Sequence, residues 1–329
     1  AGFEGDIHKT MVDPCAGSGS FLTQAIKRVI NKNKKKLTYD DIIKITNNII
    51  GFDINPISVI AAKTNYIMTV FSASFDNDFK GSNPPVHIPV FIADSILSPI
   101  VYTEENGKIL RLKTIAGELE LPKFKNFDKG NIFLTKLSEF IHEKALVDPF
   151  INYVRSKNLI EDQDVPVVKK LFDTLYILHR SGKDSFWPII LKNSYAPVMI
   201  HNKFDYVVGN PPWIAWKSMS KSYRAGSLEI WKSYGIFEKS AYDKKTTHDD
   251  FAMAVTYVAM DQYLKEGGTM VFLLPTSFLK STKGGEGFRK LKIIRKAQNI
   301  SFAIESVHDY DHSFPLRFKA QKRYERICL

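Results

Sequence analysis

The sequence has few cysteines, no long apolar run and fewer acidic than basic residues. Its two cysteines, Cys15 and Cys328, lie near opposite ends of the 329 residues, so we expect no disulfide framework and a reducing, cytoplasmic location. The roughly 18 consecutive apolar residues of a membrane span are missing, as is a signal-peptide pattern, and we expect no membrane partner. The formal net charge of +11 at pH 7 favours a polyanionic partner.

The order of apolar patterns along the chain predicts an α/β fold. Strand and helix patterns alternate up to residue 98, which is typical of a parallel sheet with helices on both faces. Over residues 99–203 the alternation breaks, and several helical patterns indicate a mainly helical insertion. A buried strand at residues 204–209 resumes the sheet. We therefore divide the chain into 1–98, 99–203 and 204–329.

A glycine-containing turn after the first predicted strand is the first candidate ligand site. The strand ends at Asp13, and Gly17 and Gly19 precede the first helix. Glycines let the backbone approach a ligand closely, and the free N–H groups of a helix start favour anionic groups. A dinucleotide fingerprint requires a third glycine where Leu22 stands. The acid at the strand end suits the ammonium of an amino-acid cofactor, and the alternative is an ordinary tight turn.

Two further acids end the next two predicted strands. Asp53 stands where a carboxylate can accept from both hydroxyls of a ribose, and Asp94 can accept from an exocyclic amine such as that of adenine. Ile54 and Ile96 are apolar neighbours that can wall the ring. A single acid at a strand end often caps a helix or starts a turn. Three such acids on successive parallel strands predict a ligand-binding crevice.

The residues after the strand at 204–209 favour chemistry on a planar amine. Pro211 and Pro212 fix the backbone and remove two N–H donors. The side-chain oxygen of Asn210 and the carbonyl of Pro211 can then accept from one NH₂ group. Trp213 can stack on the ring that carries this amine.

These segments resemble four motifs of one enzyme family. Residues 13–22, 53–56, 94 and 210–213 are similar to motifs I to IV of the S-adenosylmethionine-dependent DNA adenine-N6 methyltransferases of the γ arrangement. The sequence resembles most the methylase parts of Eco57I-like type II restriction-modification enzymes. The likeness covers residues 9–81 and 203–315. It implies a class I methyltransferase fold, in which a Rossmann-like mixed sheet carries helices on both faces.

The resemblance also implies roles for individual residues, with S-adenosylmethionine as the cofactor and double-stranded DNA as the partner. Asp13, Ala16 and Gly17 would hold the methionine part of the cofactor, Asp53 its ribose and Asp94 its adenine amine. The full set of cofactor-binding residues that we expect is Asp13, Ala16, Gly17, Gly19, Asp53, Ile54 and Asp94. Asn210 and Pro211 would hold the target N6 amine, and Trp213 and Phe314 would sandwich the target base. The catalytic set that we expect is Asn210, Pro211, Pro212, Trp213 and Phe314.

The sequence departs from the family pattern in three ways. Cys15 and Ala16 reverse the more frequent order of these two residues. The motif that normally precedes residue 9, and a target-recognition domain after residue 329, are not in the sequence. Because the chain begins with Ala1 rather than Met, we expect it to be a piece of a larger protein, with target-recognition or nuclease segments elsewhere.

Several patterns allow a second interpretation. Residues 280–296 hold seven basic residues and one acidic residue, and they either contact DNA phosphates or form the solvated face of a basic helix over 287–296. Residues 248–250 (His-Asp-Asp) favour a helix cap over a metal site, and we expect no metal because methyl transfer from a sulfonium needs none. The Asn-Pro-Pro at residues 83–85 follows no strand and is interpreted as a turn.

Two other functions are compatible with the same motifs. Enzymes that methylate a guanine amine in RNA or a glutamine amide in protein also carry Asn-Pro-Pro followed by an aromatic residue. A cofactor-binding scaffold within a larger defence complex is the non-enzymatic alternative. Such a scaffold would have lost its catalytic activity, and the intact residues at positions 210–213 argue against that loss.

Overall fold

The three-dimensional description rests on a computed structural model of the chain. It describes residues 2–33, 37–72, 83, 86–97, 103–105, 109–114, 117–124, 127–180, 191, 204–236, 251–275, 278, 290–295, 298–308 and 327–328. The chain divides into two compact units. The first consists of Ala1–Ile96 and Asn202–Leu329, and the second consists of Leu97–His201.

The first unit is built around a parallel sheet. Its described strands are β1 (Met11–Asp13), β2 (Ile49–Asp53), β3 (Val90–Ile92), β7 (Phe204–Gly209), β8 (Leu264–Phe272), β9 (Lys292–Arg295), β10 (Gln298–Ser301) and β11 (Ile327–Cys328). Six of them form the sheet in the order β11-β8-β7-β1-β2-β3. Every pairing that the described residues make in this sheet is parallel. The α/β methyltransferase fold class predicted from the sequence is confirmed. The sheet was expected to mix parallel and antiparallel strands, whereas its described pairings are all parallel.

Five described helices belong to the same unit. They are α1 (Ser20–Asn33), α2 (Tyr39–Asn48), α3 (Pro56–Phe71), α7 (Lys221–Ser233) and α8 (Phe251–Gln262). Local sequence explains two of the helix starts. Thr38 and Asp41 form a reciprocal capping box at α2, and Asn55 caps α3 by accepting from the Ile57 N–H, with Pro56 in the first turn.

The sheet positions the candidate site because its neighbouring strands β1, β2 and β7 are mostly buried. Met11 of β1 pairs with Ile49 of β2 and with Tyr206 of β7. β1 is fully buried, and the apolar side of α1 packs into the same core. Burial favours one register for each of these three strands, since a slip by one residue would move its apolar side chains to the opposite face.

The second unit combines helices with a small sheet. Its described elements are β4 (Thr103–Glu105), β5 (Ile109–Thr114), β6 (Gly117–Pro122), α4 (Phe127–His142), α5 (Val147–Ser156) and α6 (Val165–Arg180). The three strands pair antiparallel in the order β4-β5-β6. Phe133, Phe150 and Phe172 form an aromatic core between the helices. A separate apolar core of this kind allows the segment to be a structural unit of its own.

The structure corrects two expected elements near the end of the chain. The basic helix expected over residues 287–296 is wrong for its described part, because Lys292–Arg295 is a strand paired with Gln298–Ser301. The β-branched pair Ile293 and Ile294 favours a strand there. The apolar run at residues 269–274 predicts a strand that starts after Gly267 and Gly268, whereas β8 begins at Leu264 and passes through both glycines. Its register is irregular opposite Phe204 and Tyr206.

Within the part of the chain that is described, no helix is both long and apolar enough to cross a membrane.

Candidate functional site

The ends of four neighbouring strands bring the predicted site residues to one edge of the sheet. β7, β1, β2 and β3 are adjacent and parallel, so their carboxyl ends share that edge. Asp13 ends β1, Asp53 ends β2 and Gly209 ends β7. Asp94 follows β3 by two residues. Parallel sheets bind ligands at this edge, in the crevice outside the strand ends.

The carboxyl group of Asp13 is buried at the centre of this edge. Its side chain is 0% exposed, and Oδ1 accepts from the Cys15 N–H at 3.0 Å. Oδ2 is a buried oxygen without a hydrogen-bond partner. The pKa of Asp13 is raised to about 7, mainly by burial; the hydrogen bond from Cys15 lowers it and the charge of Asp53 adds to the rise. A buried acceptor left open in this way fits a cationic donor, such as the ammonium of a methionine group.

Two glycines shape the turn that follows Asp13. Gly17 and Gly19 have φ angles of 53° and 81°, a region that other residues rarely adopt. The N–H of Gly17 donates to Oδ2 of Asp53 at 2.8 Å, and nothing lies within 4 Å of where its Cβ would be. A Cβ on Gly19 would come within 3.1 Å of Ala62. The turn therefore packs against α3 and is tied to β2, with open space at Gly17.

Ala16 joins the same turn to the sheet. Its side chain is buried, and its N–H donates to the Phe52 carbonyl at 2.7 Å. Since Phe52 precedes Asp53 in β2, this bond sets the distance between the turn and the second carboxylate.

The second carboxylate, that of Asp53, accepts from backbone donors on both oxygens. Oδ1 accepts from the Asn55 N–H at 2.8 Å, and Oδ2 accepts from Gly17. A carboxylate has about four lone-pair sites, so each oxygen can accept once more. Ile54 beside it is 62% exposed and offers an apolar surface to a ligand ring.

The third carboxylate, that of Asp94, is held by a residue that the sequence did not single out. Oδ1 accepts from the Ile96 N–H at 2.9 Å. Oδ2 accepts from the hydroxyl of Tyr223 at 2.9 Å. Tyr223 lies in the first turn of α7, 129 positions further along the chain, and no local sequence signal connects the two residues. Ile96 is buried and packs into the unit.

The end of β7 lies directly against Asp13. A Cβ on Gly209 would come within 2.9 Å of Oδ1 of Asp13 and 3.4 Å of the Phe272 ring. Only a glycine fits between these two groups without a shift of either. The Gly209 carbonyl also accepts from the Leu273 N–H at 3.0 Å. The segment that starts at Asn210 therefore leaves the sheet beside the first carboxylate.

The segment after Gly209 exposes the side chains expected to meet a substrate. Asn210 and Pro212 are exposed, whereas Pro211 is buried. Trp213 is 56% exposed, and its Nε1–H donates to the Leu273 carbonyl at 3.3 Å. This hydrogen bond anchors one edge of the indole at the end of β8 and leaves ring surface free for stacking. Leu273 was missed in the sequence, because only the sheet brings it near Trp213.

The remaining expectations fall outside what can be described. Phe314, residues 248–250 and residues 280–289 lie outside the described residues. Among the described residues, no group of three or more His, Cys, Asp and Glu side chains is arranged to hold a metal ion.

Comparison with known proteins gives two curated relatives from Haemophilus influenzae. The Type II methyltransferases M.HincII and M.HindII are each 29% identical to this chain over 108 residues, or 32% of the chain. The matched part makes up 19% of M.HincII and 18% of M.HindII. The chain therefore spans about a fifth of the length of these curated relatives.

Two solved structures are similar to the chain at low scores. One is the ATP-dependent Type ISP restriction-modification enzyme LlaBIII bound to DNA, with a TM-score of 0.45, 12% identity and coverage of 87% of this chain and 14% of that one. The other is a nuclease-deletion mutant of the Type ISP enzyme LlaGI with a DNA substrate mimic, with a TM-score of 0.41, 13% identity and coverage of 86% and 17%. Likenesses at these scores carry no argument about fold or function.

The family is decided by a longer match. The sequence model of the Eco57I restriction-modification methylases matches residues 47–312, a range that includes Asp53, Asp94 and the segment at 210–213. This range is well over half of the chain. The chain belongs to the Eco57I restriction-modification methylase family.

Proposed function

We propose that this chain transfers a methyl group from S-adenosylmethionine to the N6 amine of an adenine that is flipped out of double-stranded DNA. The observation that carries the proposal is the close approach of the end of β7 to Asp13, where a Cβ on Gly209 would come within 2.9 Å of Oδ1. A methyl donor held at β1 and an amine held after β7 would meet over adjacent strands. Membership of a methylase family supports this function.

The cofactor part of the proposal uses the three carboxylates. Asp13 would accept from the ammonium of the methionine part, an assignment supported by its buried and unpartnered Oδ2. Asp53 would accept from the ribose hydroxyls through its remaining lone pairs, and Asp94 from the adenine amine. These three acceptors would pair with the three kinds of hydrogen-bond donor in S-adenosylmethionine, which are the ammonium, the ribose hydroxyls and the adenine amine.

Small and apolar residues complete the proposed cofactor site. Ala16, Gly17 and Gly19 would let the backbone approach the methionine part, and the open space at Gly17 supports this. Ile54 would contact the adenine ring, for which its large exposed surface is suited. Burial of this apolar surface would contribute to binding beyond the hydrogen bonds.

The target part of the proposal uses the residues after β7. Oδ1 of Asn210 and the carbonyl of Pro211 would accept from the two N–H bonds of the target amine, and Pro212 would keep this backbone rigid. Trp213 would stack on the base with the ring surface left free by its bond to Leu273. Phe314 is proposed for the opposite face of the base from the family resemblance.

The chemistry that follows needs placement more than acid–base catalysis. S-adenosylmethionine, when bound, supplies an activated methyl group on a sulfonium. Asn210 and Pro211 would orient the nitrogen lone pair toward this methyl carbon. Transfer would form the new N–C bond as the S–C bond breaks, and the electron pair of that bond would stay on the sulfur of S-adenosylhomocysteine. The methylated nitrogen would then release one of its protons to water. The base must leave the duplex first, because the amine is otherwise paired.

The proposal extends to the larger protein and its setting. We infer a role in restriction-modification, with target-recognition or nuclease segments outside this chain and a cytoplasmic DNA substrate. Methylation of RNA guanine or of a protein glutamine amide is the competing assignment for the same acceptors. The basic excess of +11 favours a nucleic acid over a protein.

Two variants test the division of roles. Asn210→Ala should abolish methyl transfer to DNA and keep cofactor binding, because its side chain meets only the target amine. Asp53→Ala should lose cofactor affinity, because it removes the ribose acceptor. Calorimetric titration with S-adenosylhomocysteine and a labelled-methyl assay measure the two properties separately.

The chain offers a matched control for Asn210. Asn83 belongs to the second Asn-Pro-Pro pattern, and Asn83→Ala should keep both cofactor binding and transfer. Equal loss of cofactor binding in Asn210→Ala and Asp53→Ala would contradict the proposed roles.

A further inference from the structure

The segment after β3 is held by two tyrosines from the second half of the chain. The Tyr223 hydroxyl donates to Oδ2 of Asp94 at 2.9 Å, and the Tyr263 hydroxyl donates to the carbonyl of Ser95. Tyr263 is fully buried, and its ring packs against Phe52 of β2. The bond from Tyr223 holds the carboxylate of Asp94 itself, and the bond from Tyr263 holds the backbone beside it.

Tyr223 is itself held in position. Its N–H donates to the Ser220 hydroxyl at the start of α7, at 3.2 Å. Its ring meets the edge of Phe251 with 5.7 Å between centroids, and the Phe251 N–H donates to the Ile214 carbonyl at 2.8 Å. The tyrosine is therefore linked to the segment that carries Trp213. A hydroxyl supported in this way loses little freedom when it bonds a carboxylate.

The chemistry of the Tyr223–Asp94 bond gives it a consequence for ligand choice. A donor to a carboxylate stabilises the ionised form, and an ionised carboxylate accepts hydrogen bonds without donating any. Burial raises the pKa of Tyr223 well above its ordinary value, and the charge of Asp94 raises it further. The hydroxyl thus stays a donor at neutral pH, and Oδ2 of Asp94 is the acceptor that it meets.

We propose that Tyr223 is a specificity-determining positioning residue, which holds Asp94 as an oriented acceptor for the exocyclic amine of a 6-aminopurine nucleoside. This inference rests on the proposed function, in which Asp94 meets the cofactor's adenine. With Oδ1 bonded to Ile96 and Oδ2 bonded to Tyr223, the carboxylate plane is fixed. A carboxylate held in this way rewards an N–H donor, because an ionised carboxylate accepts hydrogen bonds and donates none.

The test compares two ligands that differ only in that amine. S-adenosylhomocysteine and its 6-deamino analogue, in which hydrogen replaces the amine, are titrated calorimetrically into the wild-type chain and into Tyr223→Phe. The wild type should bind the amine-bearing ligand about tenfold more tightly, as expected of one hydrogen bond to a charged group. In Tyr223→Phe the ratio of the two affinities should fall to about threefold or less, since an unfixed carboxylate gains less from the amine.

Two further variants separate positioning from general stability. Tyr234→Phe removes a hydrogen bond of the same kind, from a tyrosine hydroxyl to Oδ2 of Asp261, and should leave the ratio at the wild-type value. In an Asp94→Asn background, Tyr223→Phe should change the ratio no further, because its target carboxylate is already absent.

Each outcome decides one claim. An unchanged ratio in Tyr223→Phe, or equal weakening of both ligands, overturns the role of Tyr223 while the proposed function stands. Wild-type binding without preference for the amine overturns the assignment of Asp94 and this inference with it. Failure of the wild type to bind S-adenosylhomocysteine overturns the proposed cofactor itself.

Discussion

At the scale of single residues, the buried carboxyl group of Asp13 is the most unusual group in the proposed site. Its pKa of about 7 results mainly from burial, so at neutral pH a large share of the side chains carries a proton. A cationic ammonium next to Oδ2 would favour the ionised form and lower this pKa. If Asp13 binds the ammonium as proposed, cofactor binding and proton release are linked through this residue.

This linkage gives a measurable proton release. Binding of S-adenosylhomocysteine should release a fraction of a proton that is largest at pH values between the lowered pKa of the bound form and the free pKa of about 7, and that vanishes well above pH 7. Titration calorimetry in two buffers of different ionisation enthalpy measures it as a difference in apparent binding enthalpy. Asp13→Asn should bind more weakly and show no such difference. A binding enthalpy of the wild type that is the same in both buffers would contradict the assignment of Asp13 to the ammonium.

The sequence located some residues of the candidate site and missed others for a physical reason. Asp13, Asp53 and Asn210 follow apolar strand patterns directly, so their place at the strand ends could be predicted locally. Tyr223 bonds Asp94 from 129 positions away, and Leu273 meets Trp213 from 60 positions away. Contacts of this range depend on how the elements pack, which no local pattern contains.

At the scale of elements, the start of β7 is joined to its two neighbours by one carboxylate. Oδ2 of Asp205 accepts from the N–H and the hydroxyl of Thr10, just before β1, at 3.0 and 2.9 Å. Oδ1 accepts from Lys9 at 3.1 Å and from Lys265 of β8 at 2.5 Å. Burial raises the pKa of Asp205, but these hydrogen bonds outweigh it and hold the pKa well below its usual range.

Loss of this charge should destabilise the sheet in a pH-dependent way. At pH 7, Asp205→Asn should be less stable by about 1–3 kcal/mol, the range for hydrogen bonds to a charged group. The native pKa lies below the unfolded value of 3.8, so the wild-type advantage is present above that pH. This stability difference shrinks as the pH falls below 3.8 toward the lower pKa of the native state, because the carboxylate is then protonated first in the unfolded and finally in the native protein. Urea unfolding from pH 7 down to about pH 3 measures this trend.

An exposed ion pair serves as the control for Asp205. Glu229 contacts Lys232 at 2.8 Å with its side chain 81% exposed, and Glu229→Gln should cost at most about 1 kcal/mol. Equal losses in the two variants, or a pH-independent loss in Asp205→Asn, would contradict the role given to the buried cluster. Cofactor binding should survive in Asp205→Asn, since Asp205 lies at the amino ends of the parallel strands and the candidate site lies at their carboxyl ends.

Helix and strand bounds were predictable where the local signals agreed. The sequence predicts a helix from Pro56 to about Phe71 and a strand at residues 204–209, and the structure has both with these bounds. A capped proline start and an uninterrupted apolar run each allow one interpretation. The prediction of a basic helix fails at Lys292–Arg295. Its basic residues are compatible with a helix, but its two adjacent isoleucines favour the strand that the structure has. Strand pairing with Gln298–Ser301 is a non-local contact that decides between the two.

At the scale of the whole molecule, one unit formed by two separate stretches holds both the strand ends proposed to bind the cofactor and the segment proposed to bind the target amine. Ala1–Ile96 and Asn202–Leu329 close around the same sheet, although 105 residues (97–201) come between them. The family match across residues 47–312 includes both stretches. Neither stretch holds the proposed site alone, since Asp13 belongs to the first and Asn210 to the second.

The central claim is tested most directly by the transfer of labelled methyl from S-adenosylmethionine to unmethylated duplex DNA of mixed sequence, followed by nucleoside analysis. We predict that the label appears in N6-methyladenine and that Asn210→Ala removes it while cofactor binding remains. Label in a methylated cytosine, or label in RNA or protein offered in parallel with none in DNA, would contradict the account.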